Sequence, residues 1–241
     1  MAKKQHDKPV DVIARALVRR SRSATLASAL TGRRQGWPYA SLVTVACTGE
    51  GSPVLLLSTL ADHTRNLLED PRAALLFEEA SGLTNPQTGP RVTLTGRLKP
   101  TNDPRAARRF LARHPGADLY AGFVDFGFYR MTVERAHYVG GFGRASWLGA
   151  KKFLFESKAS DHVMAAEQRL IGRLNRDYGD ILSRVAGKPG KQWCIVGVDP
   201  EGLDLMSTKV FRRLDFPQPV RSGRGVGGEI EKMIKKMEYL E

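Results

Sequence analysis

An antiparallel β-barrel followed by a small α+β unit is the architecture that this 241-residue sequence predicts, and three observations carry it. Over the first 150 residues about six strand-like segments succeed one another, with only two or three short helical stretches among them. They show no regular alternation of strand and helix, which favours a closed antiparallel barrel over a doubly wound sheet. After Lys151-Lys152 the hydrophobic period changes to that of a long helix. The division drawn from this is a basic amphipathic helix over 1–22, a barrel over 23–150 and an α+β unit over 151–241.

The elements follow in order. Val10, Ile13, Ala14, Leu17 and Val18 repeat at helical spacing behind Pro9, so the first element is an amphipathic helix. Strands are expected at Ala24 to Leu30, Tyr39 to Thr48 and Pro53 to Thr59, the last two joined by a Gly49-Glu50-Gly51 turn. Asp62 is placed to cap a short helix that carries Leu67 and Leu68 and stops at Pro71. A strand resumes at Ala73 to Phe77, Ser81 to Gly89 reads as loop, and Arg91 to Leu98 alternates as a strand. Pro104 opens a helix ending near His114-Pro115-Gly116, and Phe126 to Val139 is a long strand stopped by Gly140-Gly141-Phe142-Gly143. Beyond it, Val163 to Ile181 has the helical period. Trp193 to Val198 and Val210 to Phe216 read as two strands joined through Asp199-Pro200-Glu201-Gly202, and Ile230 to Leu240 as a final helix.

Composition removes several classes of function. No apolar run approaches the roughly 20 residues a membrane helix needs, and the arginines at 15, 19 and 20 interrupt any signal-like stretch after Lys3 and Lys4. The expectation is a cytoplasmic protein with no membrane span. Cys47 and Cys194, each in an apolar stretch, read as buried free thiols and form neither a disulfide framework nor a zinc site. His6 and His114 fall in segments expected to be exposed. Gly223-Arg-Gly225-Val-Gly227-Gly228 satisfies a dinucleotide fingerprint in letters only, because prolines precede it and the sequence stops 13 residues after Gly228. There is no G-x-S-x-G, Walker A or H-E-x-x-H sequence.

The net charge of +13 is concentrated at the N-terminus, where residues 1–34 hold nine basic and two acidic side chains. Residues 35–150 hold twelve basic and ten acidic, too balanced for a nucleic-acid groove. Arg15, Arg19, Arg20 and Arg22 are expected in water or against an acidic partner, with no specific nucleic-acid binding.

Two places are rich in chemistry. Ser58, Thr59, His63, Thr64 and Asn66 crowd hydroxyls and an imidazole where a strand turns into a helix, an arrangement that binds phosphate or merely caps the helix. Arg144 and Trp147 follow Gly140-Gly-Phe-Gly143, where glycines let a flat ligand approach, or make a tight turn under a packed Trp.

The run Leu55-Leu-Leu-Ser-Thr-Leu-Ala-Asp-His63-Thr-Arg-Asn66-Leu-Leu-Glu-Asp-Pro71-Arg-Ala-Ala-Leu-Leu-Phe77, then Arg91-Val-Thr-Leu-Thr-Gly96, then Val139-Gly-Gly-Phe-Gly-Arg-Ala-Ser-Trp147 closely resembles the pyridoxamine 5'-phosphate oxidase-like split barrels. Val198-Asp-Pro-Glu-Gly-Leu-Asp-Leu205 is similar to the small C-terminal domain of their HugZ-type haem-utilisation branch. The resemblance implies a six-stranded antiparallel split barrel of the FMN-binding type. It also implies a homodimer with a small-molecule ligand at the subunit interface, and flavin mononucleotide (FMN) or haem as that ligand. Ser58, His63 and Thr64 match the phosphate-holding stretch of the flavin-binding relatives, Arg91 begins the strand that lines the pocket, and Arg144 lies in the motif that faces haem in the haem branch. Three departures stand out: Tyr39-Ala-Ser-Leu-Val43 carries no phosphate-binding Arg, Arg173-Leu-Asn175-Arg-Asp177-Tyr178 replaces a motif with two histidines, and no His lies near the C-terminus. The leading expectation is an FMN-binding split barrel acting as an oxidoreductase. The alternatives are a haem-binding or haem-degrading protein, with His63 or His137 as ligand and Arg144 at a propionate, and a cofactor-free regulatory module.

Overall fold

The computed structural model describes residues 8–141, 143–186, 192–208 and 210–238, so Lys3, Lys4, His6, Phe142 and Leu240, named above, lie outside them. The chain divides into two compact units, Met1–Leu154 and Phe155–Glu241.

The first unit runs α1 (Val10–Arg20), β1 (Ser23–Ala29), β2 (Pro38–Thr44), β3 (Ala46–Cys47), β4 (Pro53–Ser58), α2 (Asp62–Glu69), β5 (Arg72–Glu78), β6 (Arg91–Pro100), α3 (Pro104–Arg113), β7 (Phe126–Val139), β8 (Ala145–Gly149) and α4 (Ala150–Phe153). All its strand pairings are antiparallel, in the order β2-β1-β5-β6-β7-β4-β3, with β8 added beside β7. Only Val45 separates β2 from β3, so the two ends of this order are one bent stretch of chain and the sheet curls back on itself. The six strands expected thus become eight segments. Tyr39 to Thr48 breaks at Val45, whose N–H turns away to the Arg22 carbonyl, and Ala145–Gly149 supplies the extra strand. Alternation along each strand sends Leu26, Val43, Leu75, Phe77, Val92, Leu94, Met131 and Ala136 into the core. At Gly96, beside a β-bulge, an added Cβ would lie 2.1 Å from the Thr132 carbonyl oxygen, so the close approach of β6 and β7 there requires glycine.

The basic helix departs from expectation. Arg15 and Arg19 of α1 are buried rather than solvated, Arg15 donating to the Phe153 carbonyl and Arg19 to the carbonyls of Thr48 and Gly49. Arg113, at the end of α3, donates in turn to the carbonyls of Arg19 and Ser21. These guanidiniums satisfy loop carbonyls that the curled sheet leaves over, while their stems pack along α1. His114 is likewise buried, not exposed, with its Nε2 2.9 Å from the Val45 carbonyl oxygen.

The second unit packs α5 (Ser157–Val185) and α6 (Gly225–Glu238) with a three-stranded sheet in the order β11-β10-β9, formed by Val210–Asp215, Gly202–Ser207 and Cys194–Asp199. The turn Asp199 to Gly202 leads not directly to Val210–Asp215 but into the middle strand, Gly202–Ser207, which is absent from the elements expected of the sequence. Asp204 sits buried in it because Arg213, also buried, bonds Asp199 at 2.8 Å, Asp204 at 3.0 Å and Asp215 at 3.1 Å, tying all three strands together. Burial opposes the Arg213 charge, but the carboxylates of Asp199 and Asp204 hold its pKa well above the ordinary value. The glycine fingerprint runs into the first turn of α6. Cys194, at the outer end of its strand, is exposed rather than buried; Cys47 is buried as expected. Among the described residues no helix is long and apolar enough to cross a membrane.

Candidate functional site

The face of the sheet turned away from the core holds the densest chemistry. Strand register sets Leu42, Thr25, Leu76, Thr93, His137 and Trp147 abreast across β2, β1, β5, β6, β7 and β8. At about 4.8 Å per strand this row is about 24 Å wide. A second row beside it reads Ala40, Ala27, Ala74, Thr95, Arg135 and Gly149. Small residues fill most of the second row, and the large apolar side chains of the first stand in water: Leu42 is 79%, Leu76 37% and Trp147 52% exposed.

At the β8 end, His137 stacks on Trp147 with ring centroids 4.4 Å apart and planes 19° from parallel. The Arg135 guanidinium lies 4.4 Å from the same indole. Arg91 opens β6 opposite Val139, its guanidinium donating to the Gln87 and Gly89 carbonyls. Arg144 is exposed at the turn joining β7 to β8, where Gly141 and Gly143 take positive φ and the Gly140 N–H donates to the Arg144 carbonyl. Arg91, Arg144, His137 and Trp147 are therefore gathered at one end of β7. Arg135 was not singled out from the sequence, although its spacing of two from His137 on a strand puts both on one face.

Ser58, Thr59, His63, Thr64 and Asn66 lie elsewhere. Ser58 pairs with Phe126, the first residue of β7, and about 35 Å of strand separates that point from His137. The Ser58 hydroxyl donates to the Asp125 carboxylate at 2.6 Å and accepts the Leu60 N–H, and the exposed Thr59 donates its N–H to the Asp125 carbonyl. Asp62 does not cap α2. Its carboxylate is held by Arg65, one turn on, and Ala61 occupies the cap position without a side-chain bond. His63 is half-buried, and desolvation, opposed by the Asp62 charge, lowers its pKa, so the ring is neutral at pH 7. Asn66 is buried and donates to the Ser28 hydroxyl at 3.2 Å, while the buried Thr64 hydroxyl has no hydrogen-bond partner. Around this segment Leu60, Leu119, Phe123 and Val124 are all exposed. Among the described residues no group of three or more His, Cys, Asp or Glu is placed to hold a metal ion.

Comparison with known proteins bears on both regions. The sequence pattern of the CREG β-barrel family matches residues 5–155. The chain is 28% identical over 222 residues to the chloroplastic non-canonical heme oxygenase HOZ of Arabidopsis thaliana, covering 86% of this chain and 68% of the relative. Among solved structures, a protein of unknown function from Agrobacterium tumefaciens is similar at a TM-score of 0.77 and 26% identity, over 98% of both chains. A heme binding protein from Mycobacterium smegmatis is similar at a TM-score of 0.56 and 27% identity, over 96% of this chain and 99% of that one.

Proposed function

Because the chain belongs to the CREG β-barrel family, we propose that it is a haem-binding protein that presents haem for oxidative breakdown, in the manner of the HugZ-type branch. The observation that carries this reading is the outer face of the sheet, where the stacked His137 and Trp147 continue a row of Thr93, Leu76 and Thr25. Haem is a planar apolar disc with an iron that accepts an imidazole and two carboxylates at one edge. Its plane would lie over the Ala27, Ala74, Leu76 and Thr93 surface, with His137 as the residue that would hold the iron and Arg135 and Arg144 as the cations that would pair with its carboxylates. The haem-oxygenase and haem-binding relatives support the same ligand.

Two copies make the site complete. The outer face leaves Leu42 and Leu76 in water, and Ser58, paired with the first residue of β7, lies far along that strand from His137. In a homodimer the outer face of each copy would be covered by the other. The free thiols of Cys47 and Cys194 suit a reducing cytoplasm. Flavin mononucleotide is the weaker fit: Ser58 already donates to a carboxylate, Asn66 is bonded to Ser28, and the neutral His63 brings no charge to a phosphate.

Titration of the full chain with haemin tests the reading. A sharp Soret band at one haemin per chain is expected, shifted in His137→Ala and weakened about ten- to a hundredfold in Arg144→Ala, the span of one charged hydrogen bond. With a reductant and oxygen, the Soret band should bleach as a bilin band rises. A Soret band identical in wild type and both variants would refute this placement of haem, and tight flavin binding without haem binding would refute the function.

A further inference from the structure

A cavity of about 400 Å³ opens beside the other half of β7, where that strand runs with the end of β6. Lys99 and Arg130 are direct partners across the two strands, so both side chains leave the same face and both line the cavity. Like charges placed directly opposite in an antiparallel pair repel. Glu50 answers only one of them, pairing with Arg130 at 3.1 Å; Lys99 has no ion pair among the described residues. The next cation along β6, Arg97, is held by Glu134. One uncompensated positive charge therefore faces the cavity, with the Thr132 hydroxyl on the same side of β7. Leu154 adds apolar wall, whereas Pro100 and Val133, next along the chain from Lys99 and Thr132, alternate to the other face.

We propose that this cavity is a binding site for an organic monocarboxylate, its carboxylate bridging Lys99 and Arg130 and its apolar body lying against Leu154. A single negative charge balances the single excess positive one, and the volume lies in the range of small-molecule sites. A carboxylate also accepts bonds from both cations at once and turns their repulsion into a shared attraction. The site lies two rows beyond Thr95 and Arg135 on the same outer face of β6 and β7, and its occupation requires no haem.

Calorimetric titration of the full chain with sodium octanoate, octan-1-ol and inorganic phosphate tests this. Octanoate should bind saturably at one per chain, and the alcohol at least about tenfold more weakly, since it lacks the charged hydrogen bonds. Lys99→Ala should weaken octanoate by about ten- to a hundredfold, with Lys99→Arg restoring most of the loss. Glu50→Gln should tighten octanoate several-fold by releasing Arg130, an effect that a purely structural role for the ion pair does not produce. Thr132→Tyr, at an exposed position, should fill the cavity and abolish binding without altering the thermal melt. Octanoate binding indifferent to Lys99→Ala and Thr132→Tyr, or phosphate binding more tightly than octanoate, would overturn the proposal.

Discussion

The double substitution Leu42→Asp, Leu76→Asp separates the assembly of the protein from its folding. Both positions lie on the outer face of the sheet, 79% and 37% exposed, so the isolated chain loses little by the change. In a homodimer that covers this face they are buried. Full burial of a leucine contributes about 1.5–3 kcal/mol. Scaled by these exposures, the pair contributes about 2–3.5 kcal/mol per copy and, by two-fold symmetry, about 4–7 kcal/mol per dimer. At 1.4 kcal/mol per factor of ten this weakens the dimer by about 10³- to 10⁵-fold, before the desolvation of the new carboxylates is counted. Sedimentation at micromolar concentration should give twice the 26.6 kDa chain mass for the wild type and the chain mass for the variant. Denaturant melts of the monomeric variant should remain cooperative. A wild type that sediments as a monomer, or a variant that stays dimeric, would show that this face is not where the copies meet.

Three further outcomes concern the fold. Burial pushes His114 down to about 4, opposed by its bond to Val45 and aided by Arg22 and Arg113. The unfolded ring titrates near 6.5, so below that pH the unfolded chain binds the extra proton. The resulting stability is full above pH 6.5 and is lost as pH falls towards 4; relative to His114→Gln, the wild type should lose about 2–3 kcal/mol more between pH 7.5 and pH 4.5. Parallel denaturation profiles for the two proteins would contradict this. Arg213→Ala removes the guanidinium that bonds the buried Asp199 and Asp204 and should cost about 3–5 kcal/mol, whereas Arg213→Met combined with Asp199→Asn and Asp204→Asn should recover most of it; equal melts for both would deny the cluster its role. Gly96→Ala drives a methyl group against the Thr132 carbonyl and should cost more than about 2 kcal/mol, read as a fall in the thermal midpoint.

Local patterns made much of this legible. The 14 residues of β7 read as one strand although a bulge at Glu134-Arg135 switches which side chains face the core, and Pro104 marks the start of α3 in both sequence and structure. Hidden from the sequence was whatever depends on distant partners. Arg15 and Arg19 look like a solvated helix face because nothing in α1 announces the carbonyls of Thr48, Gly49 and Phe153 that take them in. Asp204 breaks the apolar run of β10 until Arg213, nine residues later, explains it. At the candidate site, His137 and Trp147 are ten residues apart, and only the pairing of β7 with β8 brings their rings together. Of the two chemistry-rich places, Ser58 pairs with the first residue of β7 while His137, near its other end, pairs with Trp147, a separation that depends on strand pairing and not on sequence spacing.

The central place of β7 also bears on how the chain is made. It is the strand on which β4, β6 and β8 all depend, yet it emerges only at Phe126–Val139, after every other barrel strand except β8. A nascent chain that has reached Thr101 already holds β4 and β6, each with a raw edge awaiting the same late arrival. Such edges recruit neighbouring chains when they persist, and pairings that span some 70 residues form slowly. A ribosome stalled before codon 140 would therefore carry a sticky, unclosed sheet, and truncations in this stretch should need a holdase to stay dispersed.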